Sequence, residues 1–331
     1  MMPACETERD VATCGACGNP LGARPLARVM FQGVPYEVRP CARCGGAGTY
    51  PVPVPEEMAR FYGSGSYRSD DGARFNAFVE RLVALARGAR RRRVERYAGR
   101  RGRLLDVGCG RGLFLRVMRV DGWEVAGVEA DADVARRISA AHGLDVRCGD
   151  PGGWGFADGS FDVVTLHHVL EHLLQPAEMI GHCRRLLRDG GLLLAAVPNR
   201  DSAQAAFGGA RWFHLDVPFH LHHFTAAGLA GLLRKSGFRV VRERHLDMEQ
   251  NVFGWIQTLL NRCGLRRNLL FDFMKRPFLR GAQASAGRAW GLALSFALLP
   301  PIVPAGAALA LLEAAARRGG TVEIAAVRER A

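Results

Sequence analysis

Lysine is nearly absent from this chain. Only Lys235 and Lys275 stand among the 45 basic residues of 331, so arginine carries the formal net charge of +13. With 40 glycines and abundant alanine, that bias reads as coding composition more than as a designed basic face, and charge alone does not argue for a polyanionic partner. The opening Met1-Met2-Pro3-Ala4-Cys5-Glu6-Thr7-Glu8 lacks an apolar core, so no secretory signal is expected and a cytoplasmic location is. No internal repeat is visible, which sets solenoids aside. Cys5, Cys109, Cys148, Cys183 and Cys263 lack any partner spacing and read as small buried or incidental thiols.

The most informative stretch present is Leu104-Leu105-Asp106-Val107-Gly108-Cys109-Gly110-Arg111-Gly112. Aliphatic residues run into an acid, alternating glycines follow, and Leu113-Phe114-Leu115 resumes an apolar run. The pattern predicts a buried parallel strand, a tight turn and a helix start. Backbone that passes close beneath a ligand and a helix N-terminus with unpaired N–H groups would meet there. The spacing is G-x-G-x-G after an acid, not the G-x-G-x-x-G of dinucleotide folds. Asp106 would repel a pyrophosphate but suits an ammonium group.

Further acids fall in step. Glu124 to Val128 alternates as a second strand and ends at Glu129, about twenty residues past the turn, where a carboxylate can accept ribose hydroxyls. Asp150 follows a third strand, Asp145 to Cys148, and Phe161 to Leu166 makes a fourth. On these residues the chain resembles the class I S-adenosylmethionine (SAM) methyltransferases. The resemblance implies that Asp106 and the loop Gly108, Cys109, Gly110 and Gly112 hold the methionine end of SAM. It also implies that Glu129 holds the ribose and Asp150 the adenine amine, while His167 or His168 lines the methionine pocket through its backbone.

Cys14 and Cys17 form one C-x-x-C pair, and Cys41 and Cys44 another. Each is followed by glycine and they are joined by strand-like segments, Arg28 to Phe31 and Tyr36 to Arg39. Two such knuckles predict a zinc ribbon with four thiolates, a closed and therefore structural site.

Pro51-Val52-Pro53-Val54-Pro55 reads as a stiff linker. A short helix is expected over Glu56 to Tyr62, then a break at Gly63 to Ser66. Asp71 to Ala98 reads as a helix whose arginines (Arg87, Arg90, Arg91, Arg92, Arg93, Arg96) make a solvated face. Helices over Pro176 to Leu187 and Thr225 to Ser236 alternate with strands at Leu192 to Val197, Phe238 to Arg244 and Thr321 to Val327. The fold class is α/β: a Rossmann-like, seven-stranded, doubly wound parallel sheet, with an N-terminal zinc ribbon and an apolar helical insertion before the last strand. The expected organisation is ribbon 1–50, linker 51–70, core 71–250, insertion 251–320 and last strand 321–331.

The resemblance narrows on Cys41-Ala42-Arg43-Cys44-Gly45, the linker, Phe61-Tyr62 to Tyr67, Leu170-Glu171-His172-Leu173, Val197-Pro198-Asn199, Arg211-Trp212-Phe213 and Val217-Pro218 to Phe224-Thr225. Together these are similar to a bacterial zinc-ribbon-bearing subgroup, and to ubiquinone-type O-methyltransferases. The latter carry a metal-holding E-x-x-E-H. Glu171 and His172 match it, but His168 stands where that pattern has an acid, which suits a hard cation poorly. The segment Trp212, His214, Asp216, His220, His222 and His223 is expected to cover the acceptor, with His220 first choice as base and His168, Glu171 and His172 as companions.

The implied activity is SAM-dependent methylation of a small or lipid-linked acceptor, at oxygen. Two alternatives stand beside it: a zinc-ribbon RNA methyltransferase, although strand four ends Leu166-His167-His168 without the Asn/Asp-Pro-Pro-aromatic turn of base amino-methylating enzymes, and a non-catalytic binding protein with a vestigial SAM site. Nucleic acid is not the expected partner.

No charge occurs from Ala289 to Leu312, a length that matches a bilayer span. Pro300, Pro301 and Pro304 predict a break into a hairpin of two short helices. The last strand must return to the sheet, so both ends should stay on one side. Preceded by the basic amphipathic Val252 to Leu279, this hairpin is expected either to dip into one leaflet, as a peripheral contact with the inner face of the membrane, or to pack on the protein as a cover over the acceptor pocket.

Overall fold

The computed structural model describes residues 12–54, 56–58, 77–274 and 286–330, without side-chain detail for 77–86 and 286. Cys5, the Gly63–Ser66 break, Phe61, Tyr62, Tyr67, Lys275, Arg276 and Arg280 lie outside the described residues, as does most of the short helix expected after Pro55.

At the N-terminal end, β1 (Ala27–Phe31), β2 (Val34–Pro40) and β3 (Ala47–Tyr50) form an antiparallel meander. Side chains in β1 alternate between half-buried and exposed, the period of a sheet with one covered face. The helix α1 (Ala77–Ala98) then leads into the large sheet. Its units follow in order: β4 (Arg103–Val107), α2 (Leu113–Val120), β5 (Glu124–Val128), α3 (Ala132–His142), β6 (Asp145–Arg147), β7 (Phe161–His167), α4 (Pro176–Leu186) and β8 (Leu187–Pro198). After β8 come α5 (Ala203–Gly208), the two-residue β9 (His222–His223), α6 (Ala226–Lys235), β10 (Phe238–Arg244), α7 (Met248–Arg262), α8 (Leu269–Met274), α9 (Ala286–Ala315) and β11 (Thr321–Arg328).

Seven strands pair in the order β10-β11-β8-β7-β4-β5-β6, the expected seven-stranded Rossmann-like sheet. It is mixed, not wholly parallel: β11 runs antiparallel to both β8 and β10. The chain leaves β10, passes through α7 to α9, and re-enters the sheet at the same end that it left, which reverses that strand. Strands β4, β7 and β8 are almost continuously buried, as parallel strands covered on both faces must be. β4 has β5 on one side and β7 on the other, so the strand order reverses there. The crevice beyond the carboxyl ends of β4 and β7 is where such sheets take ligands.

Two expectations are corrected. The prolines do not split the apolar segment, because α9 is one helix of 30 residues with Pro300, Pro301 and Pro304 inside it. All three lie on the exposed side, while Leu298, Leu299 and Ile302 pack against the core of Ile256, Leu260 and Leu270 on the other. Helix-to-helix packing along α7 therefore outweighs the lost N–H groups. The arginines of α1 are not simply a solvated face either. Arg90 and Arg93 are buried, Arg93 bonds Glu323 of β11 at 2.9 Å, and Arg87 bonds Glu249 of α7 at 2.6 Å. Those acids lie far along the chain, so the sequence pattern of α1 alone gave no sign of them.

Candidate active site

The glycine turn sits at the end of β4. Asp106 is buried at 4 % exposure and accepts a 2.6 Å hydrogen bond from the Thr165 hydroxyl of β7. Burial pushes its carboxyl upward, against the pull of Thr165 and of the buried Arg90 guanidinium. Gly108 has φ +70, and a Cβ there would lie 2.6 Å from Val169, so only glycine fits. The amides of Gly108 and Cys109 donate to Val128 of β5 at 2.8 and 3.0 Å, locking the turn onto the neighbouring strand. Gly110 has no atom within 4 Å of where its Cβ would be, which leaves its face clear for a ligand. Its amide donates 2.9 Å to Glu129 Oε2 at the end of β5. Asp106, the loop and Glu129 thus lie at adjacent strand ends. Asp150 follows β6, the strand beside β5, and is exposed before a short 3-10 turn.

The pocket role expected of His167 is a backbone role, and its ring is committed to another strand. Its buried ring is 3.3 Å from Glu323 of β11, and burial lowers its pKa to about 3, so it is neutral. Glu323 is held near 2 against its own burial by His167 and Arg93. Arg90, not singled out as a site residue in the sequence, lies over the Phe114 ring at 5.3 Å with its Nε unpartnered. A buried guanidinium whose field reaches a buried carboxylate suits a zwitterion. Only its place in an arginine run hinted at it.

The histidines gather at the end of β7. Glu171 is fully buried in the Leu170–His172 3-10 turn. Burial would raise its pKa, but the 3.1 Å bond with His168 Nδ1 and the neighbouring imidazoles hold it below the ordinary carboxylate range. Its other oxygen, Oε2, has no partner. His172 Nδ1 donates to Phe219 O at 2.9 Å, and His220 Nδ1 donates to His214 O at 2.8 Å. The two rings meet edge-on at 4.7 Å. Each tether fixes the proton on Nδ1, because a carbonyl only accepts, so Nε2 is the nitrogen each ring presents. Ligand atoms of Glu171, His172 and His220 lie within 4.8 Å of one another. Burial drives His220 well below the usual histidine value, leaving it neutral. His168, with φ +56, stacks on His214 at 6.3 Å, and Phe213, Phe253 and Phe271 pack beside them. The structure therefore brings His168, Glu171, His172 and His220 into one cluster, covered by the connection after β8.

In the ribbon, Cys14 and Cys44 sulfurs are 3.4 Å apart, as are those of Cys17 and Cys41, and the four sulfurs lie within 4.8 Å of one another. A tetrahedral zinc tetrathiolate needs sulfurs about 3.8 Å apart, so the four fit a zinc ion.

The strand order, the acid-glycine turn and the second acid define the class, a SAM methyltransferase fold. Residues 75–243, just over half of the chain, match the profile of the family described as a methyltransferase domain, and the chain belongs to that family. It is 34% identical over 150 residues to a protein of Mycolicibacterium smegmatis named a probable S-adenosylmethionine-dependent methyltransferase, covering 45% of this chain and 56% of that one. It is also 34% identical over 171 residues to a ubiquinone biosynthesis O-methyltransferase of Cereibacter sphaeroides, covering 48% of this chain and 68% of the relative. The match thus spans between about half and two thirds of these relatives. Among solved structures, a protein of Galdieria sulphuraria proposed to be a sarcosine dimethylglycine methyltransferase shares the fold, with TM-score 0.50, 14% identity, and coverage of 82% of this chain and 98% of that one.

Proposed function

We propose that this protein methylates an oxygen of a small or lipid-linked acceptor with SAM. The observation that carries the acceptor side is the buried histidine–glutamate cluster at the end of β7, roofed by residues 212–225. SAM supplies an electrophilic methyl group on a sulfonium. Asp106 would face its ammonium, Arg90 its carboxylate and Glu129 its ribose, fixing the donor for in-line attack by an acceptor bound beside it. His220 is neutral, with its proton committed to His214 O, so Nε2 would take the proton of an acceptor hydroxyl as the oxygen–methyl bond forms and the methyl carbon–sulfur bond breaks, the electron pair staying on the sulfur of the departing S-adenosylhomocysteine. Glu171, ionised and close by, stabilises the resulting imidazolium. The four ribbon cysteines hold a structural zinc.

Where the acceptor is apolar, α9 brings the enzyme to it. It is the one helix among the described residues long and apolar enough to cross a membrane. However, β10 before it and β11 after it are direct neighbours in one sheet, which argues against a single crossing; in this reading the helix lies along the surface of the bilayer. Trp290, Leu294, Phe296, Leu311 and Leu312 are exposed on it.

A second reading is favoured by the unpartnered Glu171 Oε2, a buried anionic acceptor beside two imidazoles. Glu171, His172 and His220 then ligate a divalent cation of the borderline kind, and the acceptor oxygen binds the metal. Metal analysis of the full chain separates the two. The base reading expects one equivalent of zinc, abolished by C14S/C41S. The ligand reading expects two, of which H220A removes one. Methyl transfer is tested by incubating isotopically labelled SAM with lipid and soluble extracts, and a catechol gives a defined hydroxyl probe.

A further inference from the structure

The ribbon does not hang from the core by its linker. Strand β3 pairs with β9, setting Ala47 opposite His223 and Gly48 opposite His222. Thr49, next along β3, is buried at 1 % exposure. Its hydroxyl donates to His220 O at 2.6 Å, and its amide donates to Leu221 O at 2.9 Å. Leu221 N in turn donates to Glu171 O at 2.7 Å. A hydroxyl has one proton, and here the carbonyl takes it. The 3.2 Å contact between Thr49 Oγ1 and His223 Nε2 therefore requires the imidazole to donate, which fixes His223 as the Nε2–H tautomer.

Both cysteine knuckles press on the same segment. A Cβ on Gly15, between Cys14 and Cys17, would sit 2.4 Å from the His222 ring. One on Gly46 would sit 3.0 Å from His223 O and 3.3 Å from Cys44 Sγ. Thr225 donates its hydroxyl to Cys44 O at 2.8 Å while accepting from Gly228 N at 3.0 Å, tying the second knuckle to the start of α6. Arg200, just after β8, donates to Gly45 O. These bonds converge on residues 200–225, the acceptor side.

We propose that the ribbon is a clamp on the acceptor pocket, with Thr49 as its positioning residue, and that metal in the tetracysteine centre holds His220 to His223 in register. The cofactor half is set independently by β4, β5 and β7. The inference rests on the acceptor reading of the 212–225 segment and on zinc in the ribbon.

The test uses the full chain with and without Zn2+, and the variants T49V and T49S. T49V keeps the shape and the backbone bond to Leu221 but loses both hydroxyl contacts, whereas T49S keeps them. Nitrogen NMR should show the Nε2–H tautomer of His223 in wild type and T49S, and a mixture in T49V at unchanged zinc content. Hydrogen exchange of the amides at 220–223 should rise at least tenfold in T49V and on zinc removal, and return in T49S. Affinity for S-adenosylhomocysteine should stay within twofold throughout. Unchanged exchange and tautomer in T49V would overturn the clamp. So would zinc removal that weakens S-adenosylhomocysteine binding and loosens both halves alike. A wild type that binds no S-adenosylhomocysteine would instead sink the methyltransferase reading, leaving the exchange result to judge the clamp alone.

Discussion

Asp106 and Glu129 owe their placing to strand ends that the sequence marks plainly, an aliphatic run closing on an acid. Their energetic weights differ. Asp106 is buried and tied to Thr165, so D106N exchanges a buried charge for a dipole and should abolish SAM binding measurable by calorimetry. Glu129 lies at the turn, half-buried, and accepts from backbone amides there, so E129A should lose about 1.5–3 kcal/mol of SAM affinity with only a small fall in melting temperature. Equal affinity in E129A and wild type would rule out the ribose role. Glu313 gives a pH test. Burial raises its carboxyl to about 7, while Oε1 accepts from Gly320 N at 2.8 Å and Oε2 has no partner. With a folded value above the unfolded ~4.3, its contribution is complete below that lower value and is lost as pH rises through 7. E313Q should therefore flatten the fall in stability between those limits, read as urea midpoints at pH 5 and pH 8. An undiminished fall would place the titration elsewhere. Nothing about Glu313 in the sequence marks it, because its burial comes from α9 packing against α7 and the turn before β11.

At the scale of elements, the helices with local signals were legible and those decided by neighbours were not. Asp131 caps α3 by accepting from Asp133 and Val134 amides at 2.7 and 3.1 Å, and Thr225 caps α6 as its place before an apolar run suggests. D131A should cost about 1 kcal/mol in chemical denaturation; no change would mean that tertiary contacts alone set that terminus. By contrast, α9 keeps three internal prolines because one side of it packs on α7, a contact absent from any local window. The single helix sharpens the membrane proposal. Thirty residues span ~45 Å, too long to stand in one leaflet but suited to lying flat. Trp290→Asp with Leu294→Asp should abolish co-sedimentation with anionic phosphatidylglycerol vesicles while sparing SAM affinity. Binding retained by the double variant, or lost by wild type in moderate salt, would assign attachment to the arginines instead.

For the whole molecule, the mixed sheet sets which elements meet. β11 lies between β8 and β10, and this brings Glu323 to the neutral His167 and to Arg93 of α1, closing a buried polar cluster around one ion pair from three distant parts of the chain. E323Q removes a buried carboxylate that answers Arg93, so it should destabilise the fold by several kcal/mol, about 3–5 by analogy with broken buried pairs. A thermal or urea shift under about 1 kcal/mol would show that water already reaches the cluster.

The sequence by itself determined the βαβ order, the seventh strand, the acid-glycine turn and the paired cysteines, because each is written in periodicity or spacing within a few residues. Tertiary structure alone decided the rest. It inserted β11 antiparallel, turned Arg90 and Arg93 of a supposed solvent-facing run inward, drew His220 beside Glu171 and His172, and laid Thr49 of the ribbon against the histidine segment 171 residues later. Those contacts join residues whose local patterns are indifferent to one another. What selects them is the burial of polar groups that find partners only across the fold.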